Sequence, residues 1–250
     1  MIQLPRQVAQ RIRAWVNELP NHQYSVVAPV TFAGFTTFDR IPAAEAAAMP
    51  MQPFPAGTPW GGCWEYAWFR AEVTIPATCK GQRVVFFSRL GGEQLVYVNG
   101  KAAGSIDKEH KYVTLTRCAE GGETFSLLIE SYAGHGERIE NLGPVPPELK
   151  PVPLVPEHQQ KVAESFIAAW NEDAYQLLMD VTTLTQLLEI LPDKSLRAQK
   201  VAKALNDFTR TADFELPFAQ RHESFRRARE VLRPALECHN GSTAPTMWLV

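Results

Sequence analysis

The chain has 250 residues, of which 45% are hydrophobic and 21% are charged, and its formal net charge at pH 7 is -2. This balance is typical of a folded protein with one large or two ordinary domains, and it excludes an intrinsically disordered chain. The near-neutral charge gives no general attraction to nucleic acid or to anionic lipid. No apolar run reaches the roughly 18 residues that a membrane-spanning helix needs.

The cysteines and the N-terminus bear on the cellular compartment. The first residues lack the long apolar core of a signal peptide. The four cysteines are widely scattered and lack the short spacing of zinc-binding pairs, so we interpret them as buried free thiols: Cys63, Cys79, Cys118 and Cys238. The sequence therefore predicts a cytoplasmic protein without a cysteine-based metal site.

The first segment, residues 1–23, is predicted to contain an N-terminal helix. Apolar side chains such as Ile12 and Trp15 recur on one helical face over residues 6–19, and Pro20 ends the pattern. An amphipathic helix of this kind buries its apolar face against a neighbour. We expect it to pack on one of the two domains that follow.

Residues 24–143 are predicted to form an antiparallel β-sandwich. Residues 24–38 are rich in β-branched and aromatic side chains, and the Ala- and Pro-rich stretch 41–59 is expected to be a long surface connection. Short strand-like runs separated by turn residues then follow, at Trp64–Ile75, Arg83–Ser88, Gln94–Val98, Tyr112–Leu115 and Thr124–Glu130. The dipeptide Asn99-Gly100 indicates a tight hairpin turn.

A proline-rich segment separates the predicted sandwich from a helical region. Six prolines lie between residues 144 and 156, which predicts a stiff, extended linker. The hydrophobic period beyond it is that of helices over residues 157–241, with helices expected at 157–170, 172–191, 194–209 and 220–236. The predicted fold class is mixed β and α, an antiparallel jelly-roll β-sandwich followed by a helical region.

The motifs of the predicted sandwich resemble those of a known domain family. An aromatic segment begins with Trp60-Gly61-Gly62-Cys63-Trp64, its strand ends at Pro76, and a buried strand then leads to the hairpin Val96-Tyr97-Val98-Asn99-Gly100. This order is similar to that of galactose-binding-like jelly-roll domains, which accompany many glycoside hydrolases. The resemblance implies a jelly-roll fold for residues 24–143.

The whole order of elements resembles the N-terminal region of a glycoside hydrolase family 38 α-mannosidase of the cytosolic and bacterial type. In that family an apolar strand like Met247–Val250 runs into a His-x-Asp motif that supplies two zinc ligands. Residues 242–250 are therefore expected to begin a catalytic domain that the 250 residues do not include. The alternative is that the strand docks into a sheet of a self-contained protein.

The resemblance also implies the chemistry of the parent enzyme, which is zinc-dependent, retaining hydrolysis of α-mannosides. The family's zinc-binding, nucleophilic and acid/base residues have no counterparts in this chain. The expected cofactor is therefore none in this chain and zinc in the parent enzyme. This chain would be a non-catalytic accessory region, a scaffold and inter-domain contact whose partner is the missing C-terminal catalytic domain.

Two other functions are consistent with the same sequence. A free-standing carbohydrate-binding module would present exposed aromatic rings beside polar loop residues. An oligomerisation domain would present a large apolar patch to a second copy of the chain.

Four residues are candidates for contact with a carbohydrate or with another domain. Trp60 lies in a Pro-Trp-Gly-Gly turn and is expected to present an exposed ring. His110 follows Asp107 by three residues, and Tyr132 and His135 flank a glycine-containing segment. Both segments lie at predicted strand ends and could converge in a functional loop. The competing interpretation is that the imidazoles form hydrogen bonds within turns.

The aromatic stripe of the first long strand has two interpretations. Trp64, Tyr66 and Trp68 share one strand face by their period of two. We interpret this stripe as core between two sheets, and the alternative is a platform on which a sugar ring stacks. The carboxylates of the predicted loops show no recognisable glycosidase pairing, so no catalytic residue and no metal ligand is assigned.

Overall fold

The structure is a computed structural model that describes residues 4–136, 157–192 and 195–238. The described residues fall into two compact units. Ser25–Trp170 forms one, and the residues before Ser25 together with those after Trp170 form the other. The predicted linker at 144–156 and the predicted terminal strand at 242–250 lie outside the described residues.

The elements confirm the mixed fold class, and their bounds are as follows. The strands are β1 (Tyr24–Val30), β2 (Ala33–Thr37), β3 (Gln52–Pro53), β4 (Pro59–Trp60), β5 (Tyr66–Thr74), β6 (Val84–Phe87), β7 (Glu93–Val98), β8 (Lys101–Ile106), β9 (Tyr112–Thr116), β10 (Thr124–Tyr132), β11 (Gln160–Lys161) and β12 (Ser165–Trp170). The helices are α1 (Arg6–Glu18), α2 (Ala43–Ala48), α3 (Glu172–Ile190), α4 (Leu196–Thr211) and α5 (Phe218–Leu236).

The strands form two main sheets and a short ribbon. One sheet has six strands in the order β3-β2-β5-β10-β7-β8, the other has four in the order β1-β12-β6-β9, and β11 pairs with β4. Strand β10 is antiparallel to both β5 and β7. The predicted hairpin at Asn99-Gly100 is confirmed, because both residues have positive φ angles and join the antiparallel pair β7 and β8.

The two sheets enclose one hydrophobic core. Phe69 and Ile129 from the six-stranded sheet and Phe86 and Ile167 from the four-stranded sheet belong to one buried cluster. Trp68 is also buried, but it points to the face opposite Phe69 because successive strand residues alternate. The prediction that Trp68 lies between the two sheets is therefore wrong, although its prediction as a structural residue agrees with its burial.

The segment 157–170, predicted as a helix, is extended. It carries the short strand β11 and then β12, whose neighbours are β1 and β6. Nearly every residue of β12 is buried, so its sequence lacks the polar alternation of a strand with one solvated face. A short apolar run of this kind cannot be told from a buried helix by periodicity. The sandwich unit therefore extends to Trp170.

The connection at 41–59 also carries structure that the sequence analysis missed. Helix α2 lies within it, and Ala46 in that helix is fully buried. Helix α2 contacts strand β10. The stretch is a covering element of the sandwich as well as a surface connection.

The other unit is a helical assembly. Helix α1 contacts α3 and α4, and Ile12 shares a buried cluster with apolar side chains of α3, α4 and α5. Trp15 meets Phe208 edge to face, with ring centroids 5.3 Å apart. The side chain of Asn171 accepts a hydrogen bond from the amide of Ala174 and caps α3. In the described part of the chain no helix is long and apolar enough to cross a membrane.

Candidate functional site

One end of the six-stranded sheet carries most of the predicted contact residues. Tyr132, the last residue of β10, pairs with Tyr66 on one side and with Glu93 on the other. The three side chains therefore start from neighbouring positions at the same sheet end. The chain leaves β10 through residues 133–136 and enters β5 through residues 61–65.

These segments surround a surface recess of about 750 Å³. The residues that line it share a position at or beside the ends of β5, β7, β10 and β11: Trp64, Glu93, Tyr132, Ala133, Gly134, His135, Gly136, Gln159 and Gln160. The recess thus contains Tyr132 and His135, two of the four predicted contact residues, and adds residues from β7 and from the segment of β11. A recess of this size is within the range of ligand sites, about 300–1,000 Å³.

Two glutamine side chains hold the recess walls together. The amide nitrogen of Gln160 donates to the Ala133 carbonyl at 3.0 Å, and its oxygen accepts from the Gly92 amide at 3.0 Å. The amide nitrogen of Gln159 donates to the carbonyls of Gly62 at 3.1 Å and Gly134 at 3.3 Å. Each glutamine therefore joins segments that are distant in sequence, which makes the walls a single hydrogen-bonded structure.

Gly92 permits the close approach of two of these segments. Its φ is +73°, and a Cβ atom there would lie 2.3 Å from the carbonyl oxygen of Tyr132. Only glycine fits this position. The start of β7 can therefore lie directly against the end of β10, which places Glu93 at the recess.

Trp60 is buried, which contradicts its prediction as an exposed ring. It is 2% exposed, and its indole nitrogen donates to the Leu90 carbonyl at 2.7 Å. Its ring packs edge to face on Phe69, with centroids 5.8 Å apart. The prediction fails because Pro59 and Trp60 of the Pro-Trp-Gly-Gly segment form the strand β4, which pairs with β11 and directs the indole into the core.

Trp64 is exposed, which contradicts its prediction as a core residue. Its side chain is 55% exposed. It precedes β5, and its φ of +68° takes it out of the strand alternation on which the prediction depended. The Trp64 amide donates to the Gly134 carbonyl at 2.9 Å, and the ring lies 5.5 Å from His135 and 6.4 Å from Tyr132 between centroids.

His135 and Cys63 lie beside Trp64. The Nδ1 atom of His135 is 3.1 Å from the Gly136 carbonyl, and the Cys63 thiol contacts the His135 carbonyl at 3.4 Å. The imidazole therefore takes part in a turn, as the competing interpretation has it, while its ring also forms part of the recess wall.

His110 lies at the same sheet end but outside the recess lining. Ile106, the last residue of β8, pairs with Gln94 in β7, so the turn 107–110 follows one strand beyond Glu93. Asp107 accepts the backbone amides of His110 at 2.7 Å and Glu109 at 2.8 Å. The hydrogen bond from the His110 amide is the main cause that lowers the pKa of Asp107.

The residues that sequence reasoning did not assign to the recess are Trp64, Glu93, Gln159 and Gln160. The two glutamines lie in the segment 157–170 that is predicted as a helix, where no sequence pattern indicates a site. In the sequence Glu93 is one of several carboxylates in the predicted loops, with no pattern that distinguishes it. Its place at the start of β7, directly after two glycines with positive φ, is the signal that could have identified it.

The comparisons with known proteins point to one family. The family model described as "Alpha-mannosidase, jelly roll domain" matches residues 28–175. Alpha-mannosidase 2C1 from Mus musculus is 25% identical over 228 residues, covering 87% of this chain and 20% of the relative. Alpha-mannosidase 2C1 from Homo sapiens is 27% identical over 184 residues, covering 72% and 17%. The chain thus spans about a fifth of the length of these relatives.

Solved structures show a weaker likeness. The β-glucuronidase from Ruminococcus gnavus in complex with D-glucuronic acid matches with a TM-score of 0.38 and 13% identity, over 60% of this chain and 30% of that chain. The β-glucuronidase from Faecalibacterium prausnitzii matches with a TM-score of 0.37 and 17% identity, over 60% and 31%. These scores support no conclusion about function. Because the family model covers more than half of the chain, the chain belongs to the α-mannosidase jelly-roll domain family.

Proposed function

We propose that this chain is the non-catalytic N-terminal accessory region of a zinc-dependent, retaining α-mannosidase that acts on α-mannosides. The observation that carries the proposal is the family match over residues 28–175, which spans nearly all of the sandwich unit. The two relatives named α-mannosidase 2C1 support it, because this chain aligns with about a fifth of their length. The proposed location is the cytoplasm.

The described residues do not fit a zinc site. Among them, no group of three or more His, Cys, Asp or Glu side chains is placed to hold a metal ion. The proposal therefore assigns zinc and the catalytic residues to a C-terminal catalytic domain.

The proposed role of the sandwich unit is that of a scaffold that contacts the catalytic domain. Phe38 supports a contact at the recess end of the six-stranded sheet, since its side chain is 68% exposed and comes directly after β2. Large exposed aromatic side chains are enriched at protein interfaces. We therefore propose the catalytic domain, rather than a second copy of this chain, as the partner of the surface around Phe38.

Activity measurements test the accessory role. We expect the purified 250-residue chain to leave a chromogenic α-mannoside unhydrolysed, with or without added zinc. We expect the product of the complete reading frame that contains this chain to hydrolyse it, and a chelator to abolish that activity. Chelator-sensitive turnover by the chain alone would contradict the proposal. So would a complete gene product that has no α-mannosidase activity.

Two matched substitutions test the contact surface. Phe38→Asp places a charge on the proposed contact, whereas Val26→Asp places one on β1, at a valine that is 61% exposed. We expect Phe38→Asp to lower the melting temperature of the complete gene product by several degrees while leaving that of the 250-residue chain unchanged. Val26→Asp is expected to change neither. Equal effects of the two substitutions would exclude Phe38 from the contact.

A further inference from the structure

The backbone at Trp64 is strained in a way that core packing does not explain. A bulky residue with a φ of +68° is an outlier, and such a conformation costs about 1–3 kcal/mol. Burial would offset that cost in a core residue, but more than half of the Trp64 side chain is exposed. Strained residues of this kind cluster at ligand-binding sites, where the surrounding structure holds them in place.

The surrounding hydrogen bonds fix the backbone that carries the exposed indole at the recess. The Trp64 amide is bonded to the Gly134 carbonyl, and Gln159 donates to that same carbonyl. The ring itself packs beside Tyr132 and His135. The ring is thus held before any ligand arrives, which reduces the entropic cost of binding.

The charge of the recess selects the kind of ligand. Glu93 is exposed, and it has no hydrogen-bond or ion-pair partner in the described part of the chain. The described lining contains no lysine or arginine. A carboxylate is an acceptor for hydroxyl groups, and an anionic ligand would be repelled by it without a compensating cation. The recess therefore favours a neutral molecule with several hydroxyl groups.

We propose that this recess binds a neutral hexopyranose residue of an α-mannoside. The apolar face of the sugar ring would stack on the indole of Trp64, and two of its hydroxyl groups would donate to the Glu93 carboxylate. The stacking surface and the acceptor follow from the geometry. The choice of mannose rests on the proposed function above.

Sugar titrations of the 250-residue chain test this site. Methyl α-D-mannopyranoside and an α-linked mannobiose are added while ¹H–¹⁵N spectra record the tryptophan indole and glycine amide signals. We expect saturable shifts of the Trp64 indole and of the Gly134 and Gly136 amides. The buried Trp60 indole is expected to keep its position.

Variants identify the two contacting groups. Trp64→Ala and Glu93→Gln are each expected to weaken mannoside binding by about tenfold, the loss of one stacking contact or one charge-assisted pair. Phe38→Ala is the matched control, since Phe38 is an exposed aromatic residue outside the recess lining. The melting temperature of each variant shows whether it remains folded. The negatively charged analogue mannose 6-phosphate is expected not to bind.

Three results would overturn the sugar site. The first is the absence of saturable shifts up to the solubility limit of the sugar. The second is mannoside binding that Trp64→Ala leaves unchanged. The third is a Trp64→Ala variant that lowers the melting temperature of the complete gene product alone, which would assign the ring to the inter-domain contact. None of these results would contradict the proposed accessory role, which the activity measurements test separately.

Discussion

The two ends of the segment 60–64 show how differently the same side chain can be used. Trp60 lies in a paired strand, donates its indole hydrogen to Leu90 and is almost completely buried. Trp64 lies four residues later in a left-handed backbone conformation and is more than half exposed. The difference arises from the backbone between them, since both residues are tryptophan. Whether a tryptophan ring is buried or exposed here depends on how the neighbouring chain segments bind the backbone of that residue.

The largest expected effect is that of removing the buried ring. Trp60→Ala should lower the free energy of unfolding by about 3–5 kcal/mol, because it leaves a cavity beside Phe69 and an unpaired Leu90 carbonyl. Urea denaturation followed by circular dichroism measures the loss. Trp64→Ala is the control and should cost less than about 1.5 kcal/mol. Similar losses at the two positions would remove the contrast between them.

The glycine next to Trp60 gives the second largest expected effect. Gly61 has a φ of +90°, and an added Cβ would lie 2.8 Å from the Cβ of Ala133. Gly61→Ala should therefore cost about 2–4 kcal/mol, from backbone strain and overpacking together. Gly57→Ala is a matched control, because Gly57 has a φ of +96° and nothing within 4 Å of an added Cβ.

The difference between the two alanine variants isolates the packing contribution. Gly57→Ala carries only the cost of a left-handed alanine, about 1 kcal/mol. If both variants lost the same stability, Gly61 would be required for its conformation alone and the close approach to Ala133 would have no energetic role.

Local patterns predicted much of the sandwich. The runs that became β5, β6, β7, β9 and β10 have alternation or β-branched residues, and Asn99-Gly100 is a turn signal that depends on two adjacent residues only. The family resemblance was carried by the same residues, and the family match agrees with it.

The candidate site depends on contacts that local patterns do not encode. Trp64 is exposed because its left-handed conformation takes it out of the alternation of β5. Trp60 is buried because β4 pairs with a strand about 100 residues away, at Gln160 and Lys161. That partner was itself predicted as a helix, since the buried strand β12 beside it lacks alternation. Tyr132 and His135 were identified because they lie at a strand end, where loops converge.

The third expected effect concerns the glutamine that joins the recess walls. Gln160→Ala removes the acceptor of the Gly92 amide and the donor to the Ala133 carbonyl, and should cost about 1–3 kcal/mol. The Gly92 amide should also exchange its hydrogen faster than in the parent chain. Gln82→Ala is the control, because Gln82 is exposed and its side chain donates a long hydrogen bond of 3.4 Å to the Thr78 carbonyl.

Replacing an exposed glutamine of that kind should change the free energy of unfolding by less than about 0.5 kcal/mol. If Gln160→Ala cost no more than Gln82→Ala, the walls of the recess would be held by the backbone alone. Trp64 would then owe its position to its own segment rather than to the contact with β11.

The smallest expected effect is a reversal of sign at Trp64. Alanine is normally more favourable than glycine, because glycine loses more conformational entropy on folding. At a φ of +68° the order should reverse, so Trp64→Gly should be more stable than Trp64→Ala by about 0.5–1 kcal/mol. Gln10, exposed within helix α1, is the control position, where the glycine variant should be less stable than the alanine variant by about 1 kcal/mol. Urea denaturation of the four variants measures both differences.

An alanine variant more stable than the glycine variant at position 64 would mean that the chain relaxes out of the left-handed conformation once the indole is removed. The left-handed conformation would then depend on the indole itself. The backbone hydrogen bonds alone would not hold the exposed ring in place, and this contrast with Trp60 would be lost.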